Sequence, residues 1–435
     1  MNGNKVLIIT YYWPPSGGSG VQRWLKFVKY LPSFGWEPYV FTPENPSFDI
    51  RDESLLKDVP NEAEVIRFPI WEPYNAFMRL SSLFGSARSA KPTELVSVKK
   101  RSLFQRISTW IRGNLFIPDP RRFWVRPSVE FLHEFLEDNQ IRTIVTTGPP
   151  HSIHLIGLRL RKKNPSLRWI ADFRDPWSEW GLLDSLAVGK LARRQHQRLE
   201  AAVLSTADEV VATTPFYRRR FEALGNRKVY LLTNGFDEDD FNGIVYSRPD
   251  KFTLRHVGII NEKVDPRPLM EALLALARED ERFATHARLE FIGEVHPHFR
   301  QFINDSEVLK GITVFSGNIP HKQLTKLYGS SSLLLLILSG YKNAEGYMPG
   351  KLFEYLATGL PVLGIGPSGG DAAALLKETQ GGTMFEGDDT AAIKQFVLQH
   401  FNHWLSGAQP AIKRTGAMTY SRRAVAGQLA ELLSL

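Results

Sequence analysis

Strand-like apolar runs, each closed by turn chemistry and followed by a helical pattern, recur down this chain and then begin again halfway. Residues 6–9, 141–146, 169–172 and 209–212 make the first series, and residues 252–258, 289–293, 312–317, 333–338 and 362–365 make the second. Short continuous apolar runs of this kind suit strands buried on both faces, which helices on either side of a parallel sheet can cover. The chain therefore reads as α/β, with two consecutive Rossmann-like parallel-sheet domains. A polar, turn-rich stretch from Asn234-Gly235-Phe236-Asp237 to Arg248-Pro249-Asp250 marks the seam, giving an amino-terminal domain over 1–240 and a carboxy-terminal domain over 250–410. Val425, Leu429, Leu432 and Leu433 lie at helical spacing, so 411–435 is expected to be a closing helix that packs back across the lobes. Ligands of such sheets collect beyond the carboxyl ends of the strands, in the crevice between lobes, and candidate site residues are sought there.

At 435 residues and 43% hydrophobic content the chain is large enough for two such domains. Cysteine is absent, which excludes disulfides, thiolate metal sites and cysteine nucleophiles. The longest apolar run, residues 333–338, falls far short of the roughly 20 residues that span a bilayer. Residues 5–10 lack the length and flanks of a secretory signal, so a cytoplasmic location is expected.

The net charge of +8 invites anionic partners, and its placement says more than its size. Lys99, Lys100, Arg101, Arg106, Arg112, Arg121, Arg122 and Arg126 stand against Asp119 alone, eight minus one giving +7 for the segment 99–126. Within it, Leu103, Phe104, Ile107, Trp110, Ile111 and Leu115 share one arc of a helix, with Gln105, Arg106, Ser108, Thr109 and Arg112 opposite. Two readings fit: an interfacial helix at the inner face of an anionic membrane, or an amphipathic helix docked on its own domain.

Four segments carry residue types suited to chemistry. Residues 349–363 read as loop, helix and strand. At about 100° per residue, Lys351, Glu354, Tyr355 and Thr358 share one arc while Leu352, Phe353 and Leu356 lie opposite. Lys351 stands in the first turn, where unpaired N–H groups and the helix dipole favour a phosphate, and Glu354 one turn on can accept from a pair of sugar hydroxyls. Residues 11–20 place Gly17 and Gly18 after the first strand, either as an anion-binding loop or as a tight turn without a ligand. They form neither a dinucleotide fingerprint nor a Walker A loop. Residues 146–154 supply His151 and His154 with no third ligand at zinc spacing, so no metal is expected, and His151 reads as either a cleft residue or a structural one. Asp172, Arg174 and Asp175 close another strand, where they contact sugar hydroxyls or phosphate, or lock the loop through an ion pair of Arg174 with either carboxylate.

Taken in order, these segments resemble glycosyltransferase family 4. The resemblance implies a GT-B fold, two lobes facing a central cleft, and a hexosyltransferase-type enzyme. It further implies a nucleotide-sugar donor, such as a UDP-, GDP- or ADP-sugar, held by the carboxy-terminal lobe. A glycan or lipid-linked acceptor would be held by the amino-terminal lobe, and transfer would retain anomeric configuration without a metal or other cofactor. Glu354 matches the second glutamate of the family's E-x7-E motif, which grips the ribose. Gly350, Lys351 and the adjoining Leu352 match the segment near the diphosphate, and Gly17 and Gly18 match the loop approaching from the other lobe. Glu345, the candidate for the donor-sugar hydroxyls, lies nine positions before Glu354 where the motif has eight. After Val257-Gly258, Lys263 stands in for the family's basic diphosphate ligand, with Arg267 second. Lys351, Lys263, His151, Arg174 and Asp175 are thus the candidate catalytic residues. The expected role is bacterial surface-polysaccharide or lipopolysaccharide assembly, with no nucleic-acid partner. A nucleotide-sugar 2-epimerase on the same fold, or a non-enzymatic protein binding an anionic surface through 99–126, are the alternatives.

Overall fold

A computed structural model describes residues 4–46, 51–72, 103–179, 181–338, 340, 343–408, 412 and 416–435. The chain divides into two compact units, Met1–Thr233 with Arg422–Leu435 and, separately, Asn234–Ser421.

The first unit is built on β1 (Asn4–Ile9), β2 (Trp36–Pro43), β3 (Glu64–Phe68), β4 (Thr143–Gly148), β5 (Arg168–Phe173), β6 (Glu209–Ala212) and β7 (Tyr230–Leu231). These form one sheet in the order β3-β2-β1-β4-β5-β6-β7, with every neighbouring pair parallel. Successive side chains point to opposite faces. Leu7, Ile9, Phe41, Ile144, Trp169 and Ala171 join one apolar core, and Val6, Ile8, Val40, Val145, Ile170 and Val211 join another. Burial on both faces is why these strands read as continuous apolar runs.

Helix α1 (Ser19–Tyr30) covers the second face with Val21, Trp24, Leu25 and Val28. Beside it lies the terminal helix, Arg422–Ser434, whose Val425, Leu429, Leu432 and Leu433 enter the same core. Its last turn is capped from the sheet: the Arg168 guanidinium donates to the Leu432 carbonyl at 2.6 Å and to that of Leu433.

The second unit is built on β8 (Phe252–Val257), β9 (Ala287–Ile292), β10 (Thr313–Gly317), β11 (Leu333–Ile337), β12 (Val362–Ile365) and β13 (Gly382–Phe385). They form an all-parallel sheet in the order β10-β9-β8-β11-β12-β13. Its carboxyl edge is rimmed by glycines in left-handed conformations: Gly258 (φ 127°), Gly293 (φ 118°), Gly317 (φ 64°) and Gly366 (φ 156°). At Gly293 a Cβ would lie 2.5 Å from the Gly258 carbonyl oxygen, so the turns after β8 and β9 touch through bare backbone.

Candidate functional site

In the first unit, the loops that follow β1, β4, β5 and β6 are held together by Arg174. Its backbone N–H and Nε donate to the Gly148 carbonyl at 3.0 and 3.3 Å, Nη1 donates to Gly20 at 2.6 Å, and Nη2 donates to Pro149. Its own carbonyl accepts from the Thr213 hydroxyl at 2.9 Å. The guanidinium is therefore committed to carbonyls, where the sequence had suggested an ion pair with Asp172 or Asp175. Asp172 is bound instead by Arg23 from α1, through Nη2 at 2.9 Å and Nε at 3.3 Å, and also accepts from Trp24 Nε1 and the Thr147 hydroxyl. Burial alone would raise the Asp172 pKa; the Arg23 charge and these donors outweigh it and hold the carboxyl below its usual range. Asp175 is half-buried, and burial pushes its carboxyl upward. Gly18 takes φ 88° as the residue before α1, and Gly17 precedes it in the same turn.

His151 and His154 lie inside the unit. The loop of His151 leads into α2 (Ser152–Lys163), and its ring, 4% exposed, stacks on Trp177 at 5.0 Å between centroids and 5° between planes. Burial draws its pKa well down, so the ring is neutral. His154 stacks on Phe173 at 4.4 Å. The Trp177 loop is clamped from below by α3 (Lys190–Thr206): Glu200 accepts from the N–H groups of Trp177 and Ser178, and His196 Nδ1 accepts from Trp177 Nε1 at 3.0 Å. His196 and Glu200 were not singled out from the sequence. The available signal was a polar pair four residues apart in line with Ala192 and Val203, on a buried helical face.

Of the basic segment, 99–102 lies outside the described residues. The helix Leu103–Asn114 rests on its own unit through Gly113, where a Cβ would lie 2.4 Å from the Leu186 carbonyl oxygen, and through the buried Ser108. Ile107 and Trp110 are each 49% exposed and Leu115 56%. Trp71 and Phe123 are exposed as well and meet edge to face at 5.1 Å. Arg121 is no surface cation: it pairs with Glu72 at 3.1 Å and lies over the Tyr11 ring. Asp119 accepts from the Ser152 N–H and hydroxyl, which pins the segment to the start of α2.

In the second unit, two helices matter: α4 (His321–Tyr328) and α5 (Gly350–Thr358). Helix α5 starts after Pro349, which cannot continue a hydrogen-bond ladder backwards, and stops at Gly359, whose φ of 71° closes the left-handed cap. Leu352, Phe353 and Leu356 pack into the core beneath, so the Leu352 side chain contributes packing. Lys351 Nζ lies 3.4 Å from His256 Nε2 and would be 3.1 Å from a Cβ on Gly258, which places the ammonium over the turn that ends β8. Burial pulls its pKa down to about 8 against the opposing effect of Glu354. Glu354 Oε2 accepts from the Tyr328 hydroxyl at 3.0 Å, and the Tyr355 hydroxyl accepts from the Val257 N–H at 3.0 Å. A cation and a carboxylate one helical turn apart are thus each anchored by a residue from a different element. His256 and Tyr328 were not foreseen as parts of this arrangement.

The remaining candidates are more loosely placed. Lys263 is exposed in the loop after β8, and its carbonyl accepts from the Gly340 N–H. Arg267 forms an ion pair with Asp265 two residues before it. Glu345 is exposed on a 3-10 turn, Ala344–Gly346, whose backbone abuts Gly370 in the loop after β12. Gly350 and Lys351 therefore come together with Gly258 and Glu354, while Lys263 and Glu345 stand on other loops of the sheet's carboxyl edge and Arg267 opens the helix Arg267–Glu279.

The family described as glycosyl transferase 4-like domain matches residues 17–235. No curated protein matches the sequence. Among solved structures, sucrose-phosphate synthase from Thermosynechococcus elongatus is similar at 15% identity and a TM-score of 0.60, over 99% of this chain and 98% of that one. A glycosyltransferase from Rickettsia africae is similar at 13% identity and a TM-score of 0.64, over 100% and 98%. WaaG, a glycosyltransferase involved in lipopolysaccharide biosynthesis, is similar at 15% identity and a TM-score of 0.55, over 99% of each chain.

Proposed function

Since this chain belongs to the glycosyl transferase 4-like family and is a glycosyltransferase of GT-B architecture, we propose that it moves a sugar from a nucleotide-sugar donor to a glycan or lipid-linked acceptor with retention of configuration. The observation that carries this reading is the pair on α5: Lys351 over the Gly258 turn, and Glu354 fixed by the Tyr328 hydroxyl. The first suits a diphosphate and the second a ribose.

When the bond between sugar C1 and the diphosphate oxygen breaks, positive charge grows on the sugar and negative charge on the leaving group. Lys351, the Gly350 amide at the start of α5, and Lys263 would meet that negative charge with fixed donors, the kind of preorganised stabilisation that lowers a barrier most. The acceptor hydroxyl bonds to C1 as the donor bond breaks and hands its proton to the departing phosphate oxygen, so no metal is needed for charge balance. In the first unit, Asp175 and the Gly17-Gly18 turn are the groups offered to the acceptor.

The acceptor reading is supported by the exposed apolar side chains Ile107, Trp110, Leu115, Trp71 and Phe123 and the exposed Arg106 and Arg122, residue types that suit peripheral contact with an anionic bilayer. Among the described residues no helix is long and apolar enough to cross a membrane. Assembly of a bacterial surface polysaccharide or lipopolysaccharide is the setting these features suit.

A thermal-shift series with UDP, GDP, ADP and their sugars tests the donor, because a ligand bound only by the native state raises its stability with concentration. One nucleotide class should stabilise the protein, and transfer from its sugar should persist in excess chelator. Absence of a shift with every nucleotide would overturn the reading.

A further inference from the structure

We propose that His256 is the positioning residue for the Lys351 ammonium, holding it over the Gly258 turn with its free N–H bonds aimed at the donor's diphosphate. The inference rests on the reading of Lys351 as a diphosphate ligand and adds the group that makes it one.

His256 lies on β8, fully buried, and its two ring nitrogens have different tasks. Nδ1 faces the Leu335 carbonyl on the adjoining strand β11 at 3.0 Å. A carbonyl oxygen only accepts, so Nδ1 carries the ring proton and Nε2 is left with a lone pair. That lone pair is met by Lys351 Nζ at 3.4 Å. The neutral state of the ring follows from burial and from the neighbouring ammonium, both of which disfavour a second proton.

A lysine ammonium has three N–H donors on a flexible stem, and a half-buried one loses water that would otherwise accept from them. His256 Nε2 replaces one such water with a fixed acceptor. It also sets direction, because Lys351 is drawn across the mouth of β8 to lie against Gly258, where the absence of a side chain leaves room. Two donors remain for phosphate oxygens. The ribose carboxylate is held separately, by Tyr328 from α4. Phosphate and ribose recognition on α5 are thus anchored by different residues, which makes them separable by experiment.

Asparagine and glutamine divide the two tasks of the imidazole. An asparagine amide reaches the Nδ1 position and can donate to Leu335, yet ends short of Lys351. A glutamine carbonyl reaches the Nε2 position and can accept from Lys351, without the donor to Leu335. Full-length wild type, His256→Asn and His256→Gln are titrated with uridine, guanosine and adenosine and with UDP, GDP and ADP. With the nucleotide that binds, His256→Asn should lose roughly tenfold or more in diphosphate affinity, as removing a charge-assisted hydrogen bond does, with nucleoside affinity unchanged. His256→Gln should keep most of the wild-type diphosphate affinity.

Equal losses in both variants, or parallel losses for nucleoside and diphosphate, would make His256 a core residue only and overturn the proposal. Failure of the wild type to bind any of the three diphosphates would overturn the donor reading itself. Where neither variant folds, imidazole nitrogen shifts in the unaltered protein decide. A protonated Nδ1 and an accepting Nε2 support the proposal, and a proton on Nε2 overturns it.

Discussion

Arg23 meets Asp172 at 2.9 Å with both side chains 1% exposed, and the same guanidinium closes onto the carbonyls of Leu232 at 2.8 Å and Thr233 at 2.7 Å. One buried cation therefore binds the end of β5 to the last residues the chain passes before it enters the second unit. Removing one member of a buried pair leaves the other charge uncompensated, so Asp172→Ala should cost about 3–5 kcal/mol in urea denaturation. The double variant Arg23→Met/Asp172→Ala should cost clearly less than the two single changes added together. Additive losses would show that the two side chains act independently. The Asp172 pKa is lowered on folding, so its contribution is present above the unfolded carboxylate value of about 4 and is lost as pH falls through the lower folded value.

Lys351, with its pKa drawn down to about 8, carries its charge below that value and sheds it above. The kcat/KM for the donor should therefore fall as pH rises past about 8. Arginine stays charged throughout, so Lys351→Arg should flatten the alkaline limb at reduced activity, and Lys351→Met should lower kcat by roughly 100-fold or more. An alkaline limb that survives in Lys351→Arg would assign it to another group.

Glu354→Ala should abolish transfer while leaving the thermal unfolding temperature near that of the wild type, because the side chain is only half-buried. Tyr328→Phe removes the hydroxyl that fixes the carboxylate and should raise the donor KM by roughly tenfold, about the worth of one hydrogen bond to a charged group. Near-normal turnover by folded Glu354→Ala would remove this residue from the site.

Leu429 is 1% exposed between α1 and the first sheet. Leu429→Ala should destabilise the protein by about 2–5 kcal/mol, through lost transfer energy and the cavity left behind. The effect should appear in the unfolding of the first unit, read by its buried Trp13, Trp24 and Trp169, although the residue stands near the end of the chain. A loss below 1 kcal/mol would show that the terminal helix is dispensable.

The exposed faces of Ile107 and Trp110 give a test of the membrane reading. Ile107→Asp/Trp110→Asp should weaken sedimentation with vesicles containing anionic lipid and leave transfer to a soluble acceptor unchanged. Equal sedimentation of wild type and variant would place the contact elsewhere.

The central strands and the α5 helix were legible in the sequence because burial leaves a direct trace. Residues 333–338 and 362–365 are apolar without interruption, and Lys351 and Glu354 stand on the one polar arc of an otherwise apolar helix. β2 was missed because Pro38 and Pro43 argue against a central strand, yet its pairing with β3 begins only at Tyr39, so the proline at 38 interrupts nothing there. β13 opens with Gly382, directly after Gly381, and glycine argues against a strand in the same way; at Gly382 a Cβ would lie 2.0 Å from the Val362 carbonyl oxygen. The partners of the site residues were illegible for another reason. Arg23 lies 149 residues from Asp172 and His256 lies 95 from Lys351, and no local pattern joins residues across such separations. Arg174 looked like half of an ion pair because carboxylates flank it, but the ends of parallel strands present many carbonyls and it serves those.

The second unit, Asn234–Ser421, is in chain terms an insertion within the first, since Arg422–Leu435 returns to a core begun at β1. During synthesis the inserted unit leaves the ribosome whole while its host still lacks one helix. The Val6, Ile8 and Trp24 surface must wait, partly uncovered, until the helix Arg422–Ser434 emerges, although its strands are made well before that helix. Completion of the amino-terminal unit thus reports that synthesis has passed through the whole of the inserted second unit.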